Sequence, residues 1–509
     1  MQYAELHDLP AELLQVILDY TSDDDLQHTV HAITVAEPRA AIPHALMFKH
    51  LRLTRPEQAM QLYLRLRRDP ELGAAARTLA LTSWATDGQA VTNFSRMLPN
   101  LTSLILYIGP TSFNPEELEE LFMKELPHLE YISVRFRPYV QKANYYQFLK
   151  GAYFDSALLQ LSKWAPGELP SLSIVQDPLD PSVQRQQKFA QPLVFFRLDP
   201  YLSALAKSDY LSTVSSFRLR IPSRQVARSL VSSSRSLPSL ELLDLTTCNV
   251  SESDTQAIIA RFWRLRHLVL DACAIVRAEM HEADWFAFGK ECATVGTHRA
   301  RQREKTLKAW LEEQVAREEH VFSKPGFELQ QSAPKRKGKR GRRGLATATL
   351  SLRDKEEKVV PAGFQLPKEL RSLVPKVRIL PALPQLLSIA TSSSTGHEIP
   401  PAKQQTFAAQ FQLGWNEGVA QIEAVRVRMK RSSTLGYRIL RHNFEEQEDL
   451  EEHEVDEGFN GLEDADEADF SLDRNMPTPV VCLAGKAPLE KHPPGCGHFV
   501  EQDVWKDPL

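Results

Sequence analysis

"LELLDLTTCNV" occupies residues 240–250 and "LRHLVLDACAI" residues 265–275. Laid over one another without a gap, both read L-x-x-L-x-L-x-x-C-x-[V/I], offset by 25 residues. An L-x-L triplet sends alternate side chains to one side of a strand. Leu243 and Leu245, like Leu268 and Leu270, are therefore inward pairs. Cys248 and Cys273 fall where the chain leaves the strand, and read as small buried groups rather than ligands or nucleophiles. The stretch between, "SDTQAIIARFWRL" at 253–265, is the right length and pattern for a returning helix.

Weaker copies extend the pattern in both directions. "ARTLAL" (76–81), "LTSLIL" (101–106), "LEYISV" (129–134), "LPSLSI" (169–174) and "VSSFRL" (214–219) keep the inward positions, and "VPKVRI" (374–379) is a further candidate. "LPNL", "LPHL" and "LPSL" recur just before strands, at Leu98, Leu126, Leu169 and Leu237. A proline there ends the preceding helix and sets the entry of the strand. This pattern resembles the leucine-rich repeat, whose period is about 20–29 residues. The resemblance implies an α/β fold, an irregular horseshoe-like solenoid in which strands alternate with helices.

The 509 residues are 42% hydrophobic and 25% charged, so most of the chain can fold. A net charge of −4 gives no global reason to expect nucleic acid as the main partner. Five widely spaced cysteines do not form a disulfide scaffold, and a reducing compartment fits them better. "MQYAELHDLP" has neither a basic n-region nor an apolar h-region, so no secretory signal is expected. No apolar run approaches the ~18 residues of a membrane span. The expected location is cytoplasmic, nuclear or both.

The N-terminus breaks the repeat period. "DLPAELLQVILDY" (8–20) reads as a helix beginning at Pro10, which has no N–H to leave unsatisfied, with Glu12 in its first turn. Leu13, Val16, Ile17 and Tyr20 fall on one side, with Leu14 and Leu18 beside them. Together they span roughly 200°, about twice the stripe that one core requires. Either the chain buries this helix twice, or another protein covers part of it. "TSDDDL" then caps a second helix through Leu26, Val30 and Ile33, and "PHALMFKHLRL" is a third apolar segment, so that residues 8 to about 53 read as three short helices.

"LPAELLQVILDYTSDDDL" resembles the opening of an F-box, L-P-x-E-[LI]-L-x-x-[IV]-[LF] followed by a polar link and an Asp-Leu pair. Leu9, Pro10, Glu12, Leu13, Leu14, Ile17, Leu18 and Leu26 match it. The third helix of that pattern carries a tryptophan that "ITVAEPRAAIPHALMFKHLRL" lacks. With the repeats behind it, the chain is similar to fungal F-box proteins, basidiomycete ones in particular. The resemblance implies docking on a Skp-type adaptor, and through it a cullin, through Leu9, Pro10, Leu13, Leu14, Ile17, Leu18 and Leu26. Leu14 and Leu18 are expected to face that adaptor. It also implies a substrate-recognition subunit of an SCF-type ubiquitin ligase that reads a protein substrate through its repeats. The alternative is a repeat-built scaffold that never enters a ligase.

The expected organisation is an F-box-like helical domain at 1–53, a linking helix at 54–75 and repeats over 76–322. A disordered basic loop at 323–362, further repeats and a helix at 363–444, a disordered acidic run at 445–475 and a tail at 476–509 follow. "PVVCL" in that tail is a candidate last strand. Lys335, Arg336, Lys337, Lys339, Arg340, Arg342 and Arg343 form a candidate nuclear-import signal. Residues 445–469 hold 14 acids and neither lysine nor arginine, which reads as a solvated run. Cys482, His492, Cys496 and His498 are ligand-capable, but C-x9-H-x3-C-x-H matches no common zinc site, and they read as turn residues. No cofactor or metal is expected. There is no G-x-S-x-G, H-E-x-x-H or P-loop, so no catalytic residue is assigned and the chain is expected not to be an enzyme.

Overall fold

The computed structural model describes residues 9–21, 23–42, 44–109, 112–138, 153–178, 194–233, 235–275, 281–322, 376–393, 399–442, 462–472 and 478–506. The chain divides into two compact units. The first comprises residues 1–299, 381–426 and 471–509, and the second 300–380 and 427–470.

The first unit is α/β. It holds a ten-stranded sheet whose strands lie almost in chain order, every neighbouring pair parallel. They are β1 (His50–Leu53), β2 (Thr78–Leu81), β3 (Ser103–Ile108), β4 (Tyr131–Phe136), β5 (Ser171–Gln176), β6 (Ser216–Arg220), β7 (Leu242–Asp244) and β8 (His267–Leu270). Next come β10 (Ser388–Thr391) and β13 (Val480–Cys482). Every sequence copy from "ARTLAL" to "LRHLVL" lands on its strand, and "PVVCL" forms the last one.

The register explains the pattern. Leu51, Leu79, Leu104, Ile132, Leu172, Phe217, Leu243, Leu268, Ile389 and Val481 stand side by side across the sheet. All ten are buried in one continuous core. Each contributes about 1.5–3 kcal/mol by leaving water. Helices α1 (Ala11–Asp19) and α2 (Asp23–Ala36) precede the sheet and share a small cluster of their own. The core's other wall is helical: α3 (Pro56–Arg68), α4 (Glu71–Ala75), α5 (Gly88–Ser95), α6 (Pro115–Met123), α7 (Asp155–Leu161), α8 (Leu198–Ala206), α9 (Ala227–Leu230) and α10 (Glu252–Arg261) connect the sheet's strands. Phe94, Leu118, Phe122, Leu158, Leu202 and Ile258 from these connections meet the leucine ladder. The repeat cysteines close each turn. The Cys248 thiol donates to the Leu219 carbonyl at 3.2 Å, and the Cys273 thiol to Leu245 at 3.2 Å.

Three expectations are corrected. "PHALMFKHLRL" is not a third helix. A single 3-10 turn, His44–Phe48, leads into β1, because "HLRL" alternates like the other strands and pairs with β2. "VPKVRI" does form a strand, β9 (Val377–Ile379), but in the second unit's own three-stranded sheet with β11 (Arg438–His442) and β12 (Leu462–Asp464). The acidic run is ordered in part. Asp464 pairs with Arg438, Asp469 and Glu463 with Arg441, and Glu467 with Lys430. Its charges therefore have local partners that composition did not show. The basic segment 335–343 lies outside the described residues.

Two long helices, α11 (Glu282–Phe322) and α12 (Pro401–Ser433), follow the repeats. Within the first unit they cross through Trp285, Phe288, Phe407, Phe411 and Trp415, with ring centroids 5.6–6.3 Å apart. A final helix, α13 (Gly497–Val504), lies on the sheet face opposite the leucine ladder. No helix among the described residues is long and apolar enough to cross a membrane.

Candidate functional site

Two features stand apart from the packing. The first is the face of α1. Its first turn is set by Pro10, whose carbonyl accepts from the Leu13 and Leu14 amides at 3.1 and 3.2 Å. At roughly 100° per residue, Leu14 and Leu18 make one stripe, and Leu13, Val16, Ile17 and Tyr20 another roughly 130° away. Leu14 and Leu18 are each 1% exposed, and Leu18 packs on Val30, Ile42 and Leu46. Leu13, Val16 and Ile17 remain about half exposed, and Tyr20 is 89% exposed. The expectation for Leu14 and Leu18 is thus corrected: the chain's own turns take that stripe. The uncovered surface is the Leu13–Val16–Ile17–Tyr20 stripe. Leu9 is half-buried beside Pro10, which is exposed. Leu26 lies in α2.

The second feature is the sheet face turned away from the ladder. Across it run Arg52, Ala80, Ile105, Ser133, Ser173, Arg218, Asp244, Val269, Ala390 and Cys482. The segment after β13 returns across this face. Val500 and Val504 pack beside Val269 and Ala390. The Arg218 guanidinium lies 4.2 Å from the Trp505 ring centroid, and the Lys506 amide donates to the Tyr131 hydroxyl at 3.1 Å. An open pocket of about 570 Å³ lies where the segment meets the sheet, lined by Arg218, Arg220, His492, His498, Glu501 and Trp505 among others.

At the head of that segment Cys482, His492, Cys496 and His498 converge, their donor atoms all within 4.8 Å of one another. The reading of these four as separate turn residues is therefore corrected. Strand alternation puts Cys482 on the side to which the chain returns, and His492–Pro493–Pro494–Gly495 turns it back, Gly495 at φ +79°. The partner that sequence reading missed is Asp271, 2.6 Å from His498. The available signal was the density of histidine and cysteine over 482–498, read without the strand that faces it.

No family model matches this chain. No curated protein matches it. Among solved structures, a chain described as "Crystal structure of Rad7 and Elc1 complex in yeast" is 14% identical, with 53% of this chain and 88% of that chain covered and a TM-score of 0.18. A likeness of that size places the chain in no family.

Proposed function

We propose that this protein is the substrate-recognition subunit of an SCF-type ubiquitin ligase. It binds a Skp-type adaptor, and through it a cullin, by its N-terminal helices. Its repeat-like sheet and connections hold a protein substrate. The protein does no chemistry itself. It raises the concentration of its target beside a ubiquitin-charged enzyme, the gain that tethering provides. It acts in the cytoplasm or the nucleus.

The observation that carries this reading is the outward stripe of α1. Helix α1 opens with the L-P-x-E-L-L spacing and keeps Leu13, Val16, Ile17 and Tyr20 in solvent after its other stripe is buried. Leu13 and Ile17 are already half covered, so burying the rest on binding is worth about 0.8–1.5 kcal/mol each, half of the gain for a fully exposed side chain.

The test is the double variant Leu13→Asp/Ile17→Asp, with both changes on exposed positions. Adaptor capture from the purified pair should fall at least roughly 100-fold, about 2.7 kcal/mol, while the thermal unfolding of the free chain stays unchanged. Undiminished capture would remove the reading. Unfolding of the free variant would show that the stripe serves the chain's own fold.

A further inference from the structure

We infer that Cys482, His492, Cys496 and His498 form a structural zinc site that fastens the returning C-terminal segment to the sheet. The inference is independent of the adaptor reading. Its first support is distance. Cys482 Sγ lies 3.3 Å from His492 Nδ1, and His492 Nδ1 lies 3.1 Å from His498 Nδ1. Cys496 Sγ lies 3.8 Å from His492 Nδ1 and 3.7 Å from His498 Nδ1. Zinc bonds of about 2.3 Å to sulfur and 2.0–2.1 Å to nitrogen, set at the tetrahedral angle, give edges of about 3.4 Å for N–N and about 3.6 Å for N–S. Four of the six edges lie within about 0.3 Å of those values, and the other two within 4.8 Å.

The second support is where the ring protons sit. His492 Nε2 is 2.9 Å from the Ala487 carbonyl, and His498 Nε2 is 2.6 Å from the Asp271 carboxylate. Neither oxygen can donate, so each Nε2 carries a proton and donates it, which leaves Nδ1 of each ring as the atom turned toward the sulfurs. The two Nδ1 atoms face one another across 3.1 Å, with a cysteine sulfur on either side. A cation at the centre would be held by all four atoms.

The third support is the surround. A histidine ligand whose second nitrogen donates to a carboxylate or backbone carbonyl is the usual outer shell of a zinc site, and both histidines here have one. Cys482, Cys496 and His492 are buried, so all four positions come from protein and none is left for a substrate. Two sulfurs and two imidazoles in a tetrahedron favour zinc over the harder, oxygen-seeking cations. As zinc binds, the two thiols lose their protons to solvent and both imidazoles bind as neutral rings, any further ring proton leaving with them.

The unaltered full chain is tested first. Purified without chelators, it should carry about one zinc per chain by elemental mass spectrometry. After metal removal, cobalt(II) should restore one equivalent, with the strong visible bands of a tetrahedral ion and a near-ultraviolet thiolate-to-cobalt band. Cys496→Ser should weaken that thiolate band by about half or abolish binding. Asp271→Asn, which touches no donor sulfur, should leave the spectrum tetrahedral while zinc affinity falls about 10–100-fold. Three results would overturn the site: less than a tenth of an equivalent of zinc together with a pale, six-coordinate cobalt spectrum; a Cys482–Cys496 disulfide in the chain purified under reducing conditions; or undiminished zinc in both Cys482→Ser and Cys496→Ser.

Discussion

Asp244 lies on the sheet face away from the ladder, with none of its surface exposed. Its Oδ2 meets Arg220 Nε at 2.6 Å and Arg218 Nε at 3.2 Å, and its Oδ1 accepts from the Thr246 amide at 2.9 Å. Burial alone would raise the carboxyl. Arg220, then a hydrogen bond from Glu501 and the charge of Arg218, more than offset it and hold the group well below the ordinary carboxylate range. Asp244→Ala leaves two arginines without their shared carboxylate, and removing one partner of a buried pair costs about 3–5 kcal/mol. Urea unfolding at neutral pH should read that loss. A depressed folded pKa adds stability above the unfolded value and loses it as pH falls through the folded one. The gap between wild type and variant should therefore be full above about pH 4 and close only in stronger acid. A gap that closed between pH 8 and 6 would assign the effect to another group. Alternation made Leu243 and Cys248 legible because their partners sit one period away. Asp244 was not legible, because its partners face outward, and one of them, Glu501, lies in the returning segment.

At the scale of elements, α11 and α12 touch backbone to backbone. A methyl on Gly414 would overlap the Phe286 carbonyl oxygen, and one on Gly289 the Phe411 carbonyl oxygen. The two glycines thus clear the crossing from both sides, and the stacked Trp285 and Phe407, with the edge-to-face Phe288 and Phe411, fill the space around it. Helix propensity alone would make Gly414→Ala stabilising by about 1 kcal/mol. Overlap in a packed site should reverse the sign and cost about 1–3 kcal/mol. Thermal unfolding decides between them: a raised midpoint would show that the helices part without penalty. A helix within 363–444 was legible, but its pairing with α11 was not, because an interior glycine in a sequence reads only as a weak helix former. "HLRL" was missed for the opposite reason. Four residues with two leucines fit a helix end as well as a strand, and only pairing with Thr78–Leu81 decides. For α1 the breadth of the apolar surface was legible, but which stripe the chain keeps depends on Val30, Ile42 and Leu46, and their position is set in three dimensions.

In the first unit as a whole, each strand of the large sheet pairs only with its neighbours in the row, so stability should approach a sum of unit and nearest-neighbour terms. The exception is the segment after residue 476. It supplies β13 to the edge of β10, and its helix covers Val269 and Ala390. Trp505 then reaches Arg218 in β6, and Glu501 reaches Arg220 at 3.3 Å. One stretch at the end of the row thus supports a strand four places inward. Removing residues 476–509 should uncover the β10 edge, whose amides lose their shelter, and should loosen β6 to β10. Hydrogen exchange resolved by peptide reads this directly. Amides in Ser388–Thr391 and His267–Leu270 should exchange faster, while those in Thr78–Leu81 and Ser103–Ile108 keep their protection. Uniform loss across the sheet would mean that the ten strands unfold as one body. Unchanged exchange in β8 and β10 would mean that the returning segment rests on the face without holding it.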